Sequence, residues 1–413
     1  MLSILGDVQR VDIRPDTLGR RRRPGRGLVA LLVVSVLVSL LAMGAACTAA
    51  KSPSGDRSAS EPPEVALTWS KIPLPGGAEP VTLTGSGSRL LVGARVATGR
   101  VRPRIFAMAP DTSLTQIPLQ PDSPYSFSAT WLSVAVDGNR ILALGGAAGG
   151  AHANTRWTAW SGTTAGVAEQ PQSFDTFGGY GAGSLLAAVV TSRGPALVGS
   201  WEGDQAGLDA AVWLQQGQRW VRHSSAGTAL ENTPELLVGP RSAAASGPRI
   251  VLPGSAVRLS AGQVAQRAAV WRSARLDQGW VRLDLPEAGR RSDAVSAGCT
   301  ERSCVVAGYV DDRYALWSLS DDATARLTGL PELPVDEKSP VPAPLLDADG
   351  VLAVATTEGR GVVLAGRDRA WTRSPGPAGV PTASALVGDW LYVLSAPAGE
   401  RSTLWRAPVA PLR

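Results

Sequence analysis

One two-strand unit recurs along this 413-residue chain. Each copy opens with an apolar strand that ends in Gly or another small residue. A polar loop follows, then a second strand built around a large anchor side chain. The first strands centre on Leu91, Leu142, Leu197, Val251, Val305, Ala353 and Tyr392, and the second on Phe106, Trp160, Trp213, Trp271, Trp317, Leu364 and Trp405, in strict alternation. Past residue 64 no long helical period interrupts them. Short Val, Leu, Ile and Trp runs separated by Gly, Ser, Asp and Pro are the pattern of an all-β domain.

A period of about 40–50 residues with some four strands per period defines the blades of a β-propeller. The fold expected is therefore all-β, a seven-bladed β-propeller over residues 65–413. The sixth unit is the weakest, because Leu364 replaces Trp, and six or eight blades also fit the pattern. The competing architecture, a pair of β-sandwiches, has evenly spaced turns but no such recurring unit. The last unit ends just after the Trp405 strand and lacks an outer strand, while Val65 to Pro75 (VALTWSKIPLP) reads as an outer strand with no unit of its own. Pairing the two removes an open sheet edge and closes the ring. The tryptophans are expected to fill the wedges between blades.

The first 64 residues read differently. Residues 1–27 are a basic cytoplasmic region ending in the cluster Arg20 to Arg26, and residues 28–47 run from Leu28 to Ala46 without a charge and stop at Cys47. A basic stretch, an apolar stretch and small residues before a cut site are the parts of an export signal, with the arginines held on the cytoplasmic side. Residues 48–64 are polar and rich in Ser, Pro and Ala, as expected of a flexible tether. The segment resembles a bacterial lipoprotein signal peptide, which implies lipidation at Cys47 and a domain on the outer face of the cytoplasmic membrane. An apolar run of about 20 residues can also span a bilayer uncut, and simple secretion is the third outcome. The scarcity of Lys against Arg, with so much Ala, Gly and Pro, points to a GC-rich, actinobacterial-type source.

The net charge of +5 is concentrated at this end: residues 1–46 hold seven arginines and three aspartates, a net +4, which leaves +1 for the rest. A nearly neutral domain is unsuited to nucleic acid, which is held through phosphate neutralisation. Cys299 and Cys304, with four residues between them across an expected hairpin turn, are assigned to a disulfide on the ground that an exported chain meets an oxidising compartment. Their short loop limits the entropic gain to about 2 kcal/mol. The pair resembles the cysteine-closed hairpins of secreted bacterial propellers. His152 and His223 fall in different blades, are expected at the surface, and form no metal-ligand cluster. No metal or cofactor is called for.

The strand–turn–Trp units are similar to those of sialidase-type, glycan-acting propellers, whose turns carry a Ser-x-Asp-x-Gly-x-Thr-Trp signature. Ser320-Asp321-Asp322 and Asp277-Gln278-Gly279-Trp280 match it only in part. The resemblance implies architecture, not activity. A hydrolase of that kind needs two carboxylates on one face, and Asp204, Asp209, Asp311, Asp312 and Glu358 are the acids of the expected face loops. The function expected is a non-catalytic scaffold binding a protein, glycan or anionic ligand. The alternatives are a glycan-acting hydrolase or lyase and an assembly factor for a membrane complex.

One positional regularity suggests a site. Counting back four residues from the second-strand anchors gives Arg102, Arg156, Arg267, Arg313, Arg360 and Arg401; only Trp213 departs, giving Asp209. Residues four apart in a strand share a face, so six guanidinium groups are expected around one face of the disc. They would either pack between blades by stacking and carbonyl contacts, or hold an anionic ligand or acidic partner.

Overall fold

The computed structural model describes residues 62–413 except 98, 110, 150–152, 261, 322 and 368. The basic region, the apolar run, Cys47 and nearly all of the tether lie outside the described residues, and so does His152. Among the described residues no helix is long and apolar enough to cross a membrane.

Seven antiparallel sheets follow one another along the chain, and the fold is an all-β, seven-bladed β-propeller. The strands recognised from the sequence are the second and third of each blade. In blade 3, for example, Gly194–Glu202 pairs with Leu208–Gln216, placing Trp213 opposite Leu197. The anchors from Phe106 to Leu364 pack toward the preceding blade. Trp213 lies in a core with Leu142 and Leu144 of blade 2, Trp271 with Val198 and Val212 of blade 3, and Trp317 with Val251 and Val270 of blade 4. Phe106 of blade 1 packs with Leu394 and Leu404 of blade 7, so the same contact closes the circle. Trp160, Trp213, Trp271 and Trp317 are among the largest fully buried side chains, which is the wedge-filling role large rings suit.

The first strand of each blade lies next to the axis. These strands are Glu79–Ser86, Thr130–Asp137, Ala182–Thr191, the broken pair Leu236–Pro240 and Ala244–Ser246, Ser292–Cys299, Leu345–Asp347 and Val380–Val387. Residues from all seven blades line a central cavity of about 680 Å³. Crowding near the axis favours small side chains, and their hydroxyls stitch the blades together. Thr84 Oγ1 donates to Val134 O, Ser242 Oγ to Val295 O at 2.8 Å, Ser296 Oγ to Pro342 O at 3.1 Å and Ser384 Oγ to Ala343 O at 3.1 Å. Each bond ties a hydroxyl of one blade to a main-chain carbonyl of its neighbour.

The N-terminal strand Ser70–Ile72 pairs antiparallel with Thr403–Pro408, setting Lys71 opposite Trp405, and is the outermost strand of blade 7. Leu67, Ile72 and Leu74 around it are buried. Cys299 and Cys304 face each other across the first hairpin of blade 5 and are disulfide-bonded.

The first and third strands of every blade begin at the same end of the disc. That end also carries the connectors between blades and is called the connector face below.

Candidate functional site

Among the described residues nine large apolar side chains are exposed, and six of them (Phe127, Leu132, Phe174, Tyr180, Leu208 and Val264, between 44 % and 95 % exposed) lie on the connector face. Phe127 belongs to the connector from blade 1 to blade 2, and Leu132 to the start of blade 2's first strand. Phe174 and Tyr180 belong to the connector from blade 2 to blade 3, and Leu208 and Val264 to the starts of third strands. Scattered apolar residues on a surface need no explanation, whereas a contiguous apolar patch marks a contact region.

The local fold holds these rings in place. Between blades 2 and 3 the chain makes one helical turn, Phe174–Phe177. Its Phe177 is buried edge-on against Trp213, with centroids 6.0 Å apart, and the Trp213 indole N–H donates to Thr176 O at 2.9 Å. The turn is fixed from below, so Phe174 at its start is presented at the surface. The Arg156 guanidinium lies over the Phe174 ring at 4.2 Å. The neighbouring connector is tied down by Glu169, whose carboxylate accepts from the Asp122 and Ser123 amides and from Ser123 Oγ, each at 2.6 Å. Burial raises the Glu169 carboxyl, but those hydrogen bonds outweigh it and leave the group below its ordinary range. Two hollows of about 650 and 230 Å³ flank the Arg156–Phe174 stack and share Trp157 and Phe177 as walls.

A second polar group lies on the same face between blades 4 and 5. Asp293, near the start of blade 5's first strand, has a side chain only 3 % exposed; its Oδ2 is 3.4 Å from Arg241 Nε and its Oδ1 has no hydrogen-bond partner. Burial pushes its carboxyl up to about 6, against the opposing pull of Arg241. Tyr309, directly opposite in the ladder, is pushed up to about 12 by burial and by Asp293 and Glu337. Glu337 pairs with Arg291.

The six arginines share a spacing from their anchors but not an environment. Arg156 stacks on Phe174, while Arg267 donates to the Arg290 carbonyl. Arg313 is exposed, 4.0 Å from the still more exposed Glu332. Arg102, Arg360 and Arg401 are exposed. Asp209, the exception, is buried, accepting from Ser225 Oγ at 2.6 Å and the Asn232 amide at 2.8 Å. Of the other acids, Asp204 is exposed, and Asp311, Asp312 and Glu358 occupy left-handed turn positions at the tips of hairpins. The Arg291 and Arg290 amides hold the Asp311 carboxyl below its ordinary range.

His223 does not stand free in solvent. It is half-buried, and its Nδ1 pairs with Asp277 of the next blade while Nε2 has no partner. Asp321, in the other turn compared with the sialidase signature, pairs with Arg249. Sequence reasoning missed the Arg156–Phe174 stack and the Asp293 group. Arg156 is singled out by its spacing from Trp160, but the connector aromatics carry no period that would link them to it.

No family model matches the sequence, and no curated protein does. Among solved structures the chain is similar to the β-propeller domain of the trilobed protease from Pyrococcus furiosus, with 11 % identity, a TM-score of 0.51, and 80 % of this chain and 95 % of that one covered. That domain is described as having an open velcro topology, whereas here the N-terminal strand pairs with the last blade. The chain is also similar to a puromycin-hydrolysing peptidase of Mycobacterium tuberculosis, with 11 % identity, a TM-score of 0.51, and 85 % of this chain but 56 % of that one covered. The chain thus spans little more than half of that enzyme. At such identity the likeness concerns the propeller fold alone.

Proposed function

We propose that this chain is a non-catalytic binding propeller whose connector face, over blades 2 and 3, docks a partner outside the cytoplasm. The observation that carries this is the one-sided placement of Phe127, Leu132, Phe174 and Tyr180 on two adjacent connectors and the blade between them. Aromatic side chains with an arginine among them are the composition of energetic centres in protein interfaces. The extracytoplasmic setting is supported by the Cys299–Cys304 disulfide, a bond that persists in oxidising compartments. The apolar run ending at Cys47 supports a tether, by lipid or by an uncut helix.

A photo-crosslinking amino acid placed at Phe127, and separately at Trp390 on the opposite face, tests the reading in cells. A discrete adduct from Phe127 and none from Trp390 is expected. Adducts from neither position, or from Trp390 alone, contradict it. Metabolic labelling with a fatty-acid analogue tests the tether, and label that persists in Cys47→Ser rules out lipidation there.

A further inference from the structure

We infer that the top of blade 2 is a peptide-binding site for a segment that presents a carboxylate beside a large apolar side chain; the inference rests on the docking reading above and names the chemistry of the docked partner. The site is already assembled. Gly149 lets the Tyr125 ring and the Arg156 stem close over the second strand, where a Cβ would stand 2.3 Å from Tyr125 and 2.9 Å from Arg156. Gly178 does the same for Phe174, whose ring passes 2.5 Å from where its Cβ would be. Tyr125, Arg156 and Phe174 are therefore packed on backbone, and little side-chain freedom remains to be lost on binding.

The chemistry follows from which groups are already engaged. Gln170 donates to Ser161 Oγ at 2.6 Å and accepts from the Trp220 indole at 3.0 Å. Gln172 donates to Gln218 O at 2.9 Å and accepts from the Trp220 amide at 3.0 Å. Glu169 is taken up by the Asp122 and Ser123 amides. Gln170, Gln172 and Glu169 are thus spent within the fold, whereas Asn154 on the wall of the larger hollow and Asp175 next to Phe174 are exposed. Ring surface and the Arg156 guanidinium face outward beside them, and no carboxylate among the described residues pairs with Arg156. With one face covered by Phe174, the guanidinium edge is left to offer two parallel N–H donors, the geometry that suits a carboxylate. The hollows on either side, walled by Trp157 and Phe177, accept the apolar neighbour.

The test is selection of a 12-residue random-peptide phage library against the full chain in detergent, followed by fluorescence polarisation of the selected peptides as labelled synthetics. Asp or Glu next to Phe, Leu, Trp or Met should be enriched. Affinity should fall about tenfold or more in Arg156→Gln, in Phe174→Ala and when the peptide carboxylate becomes an amide. Arg156→Lys should fold alike, keep the charge and lose about threefold, while Arg360→Ala should change nothing. No enrichment, selected peptides without an acid, or peptides indifferent to Arg156→Gln and Arg156→Lys would overturn the inference. So would Arg156-dependent binding of oligogalacturonate in place of peptides. If Phe127 still crosslinks a partner in cells after such a result, the docking reading stands and only this chemistry fails.

Discussion

The connector face is apolar above blades 2 and 3 and charged between blades 4 and 5. Above blade 2, Phe127, Phe174 and Tyr180 are exposed on connectors anchored from below by Trp213 and Glu169. Between blades 4 and 5, Arg241 pairs with the buried Asp293, and Arg291 pairs with Glu337 of the following connector. Both seams rest on the same scaffold, one third-strand Trp packed on the preceding blade. The ring therefore leaves its connectors free to differ. One seam presents rings, and the other pairs its charges.

The broadest test acts on both seams at once. Removing residues 62–75 strips the outer strand of blade 7 and the buried Leu67, Ile72 and Leu74. At about 1.5–3 kcal/mol for each large apolar side chain, a loss of about 5 kcal/mol or more is expected. Chemical denaturation should show both seams failing together, whereas a shortened chain as stable as the parent would mean that closure does not hold the ring.

Trp317→Ala empties the core between blades 4 and 5 and should lower stability by about 3–5 kcal/mol. The Arg156–Phe174 stack should survive wherever the ring remains folded, so peptide affinity at the far seam would be unchanged.

Asp293 separates the seams by pH. Its folded value of about 6 lies above its ordinary 3.8, so the native state holds this proton more tightly than the unfolded chain. The stabilisation this gives is complete below about pH 4 and is lost as pH rises through 6. Asp293→Asn should accordingly match the parent at pH 4 and exceed it at pH 8 by up to about 3 kcal/mol. Equal differences at both pH values would mean that the carboxyl is not held in this way.

The smallest effects compare arginines of common register. Arg267→Ala loses a bond to the Arg290 carbonyl and should lower stability by about 1 kcal/mol. Exposed Arg360 should give less than about 0.5 kcal/mol when truncated. Thermal melts of the two variants side by side would show whether position alone, or the contact made, decides the role.

That contrast also marks what the residues disclose unaided. Blade number is legible because each third strand carries a large anchor, and even the Leu364 substitution keeps the spacing. The first strands are not, because they mix Val and Leu with Ala, Ser, Thr and Gly and carry no recurring anchor. The signal was present as a hydroxyl among small residues, at Thr84, Ser296 and Ser384, whose bonds cross between blades. The six arginines keep one spacing from their anchors in sequence, although Arg401 precedes its strand. Yet contacts depend on the connector each arginine meets, so Arg156 finds Phe174 while Arg102 and Arg401 stay exposed. Connector aromatics such as Phe174 and Tyr180 have no period, and only the fold places them on one face.

Hydrogen exchange of the full chain, with and without the partner recovered by crosslinking at Phe127, tests the one-sided surface most directly. Protection should rise in residues 121–132, 153–157 and 172–184 and nowhere on the opposite face. Protection of the opposite hairpins around Gly87, Arg193 and Gly388, or spread evenly around the ring, would contradict the docking role assigned to the connector face.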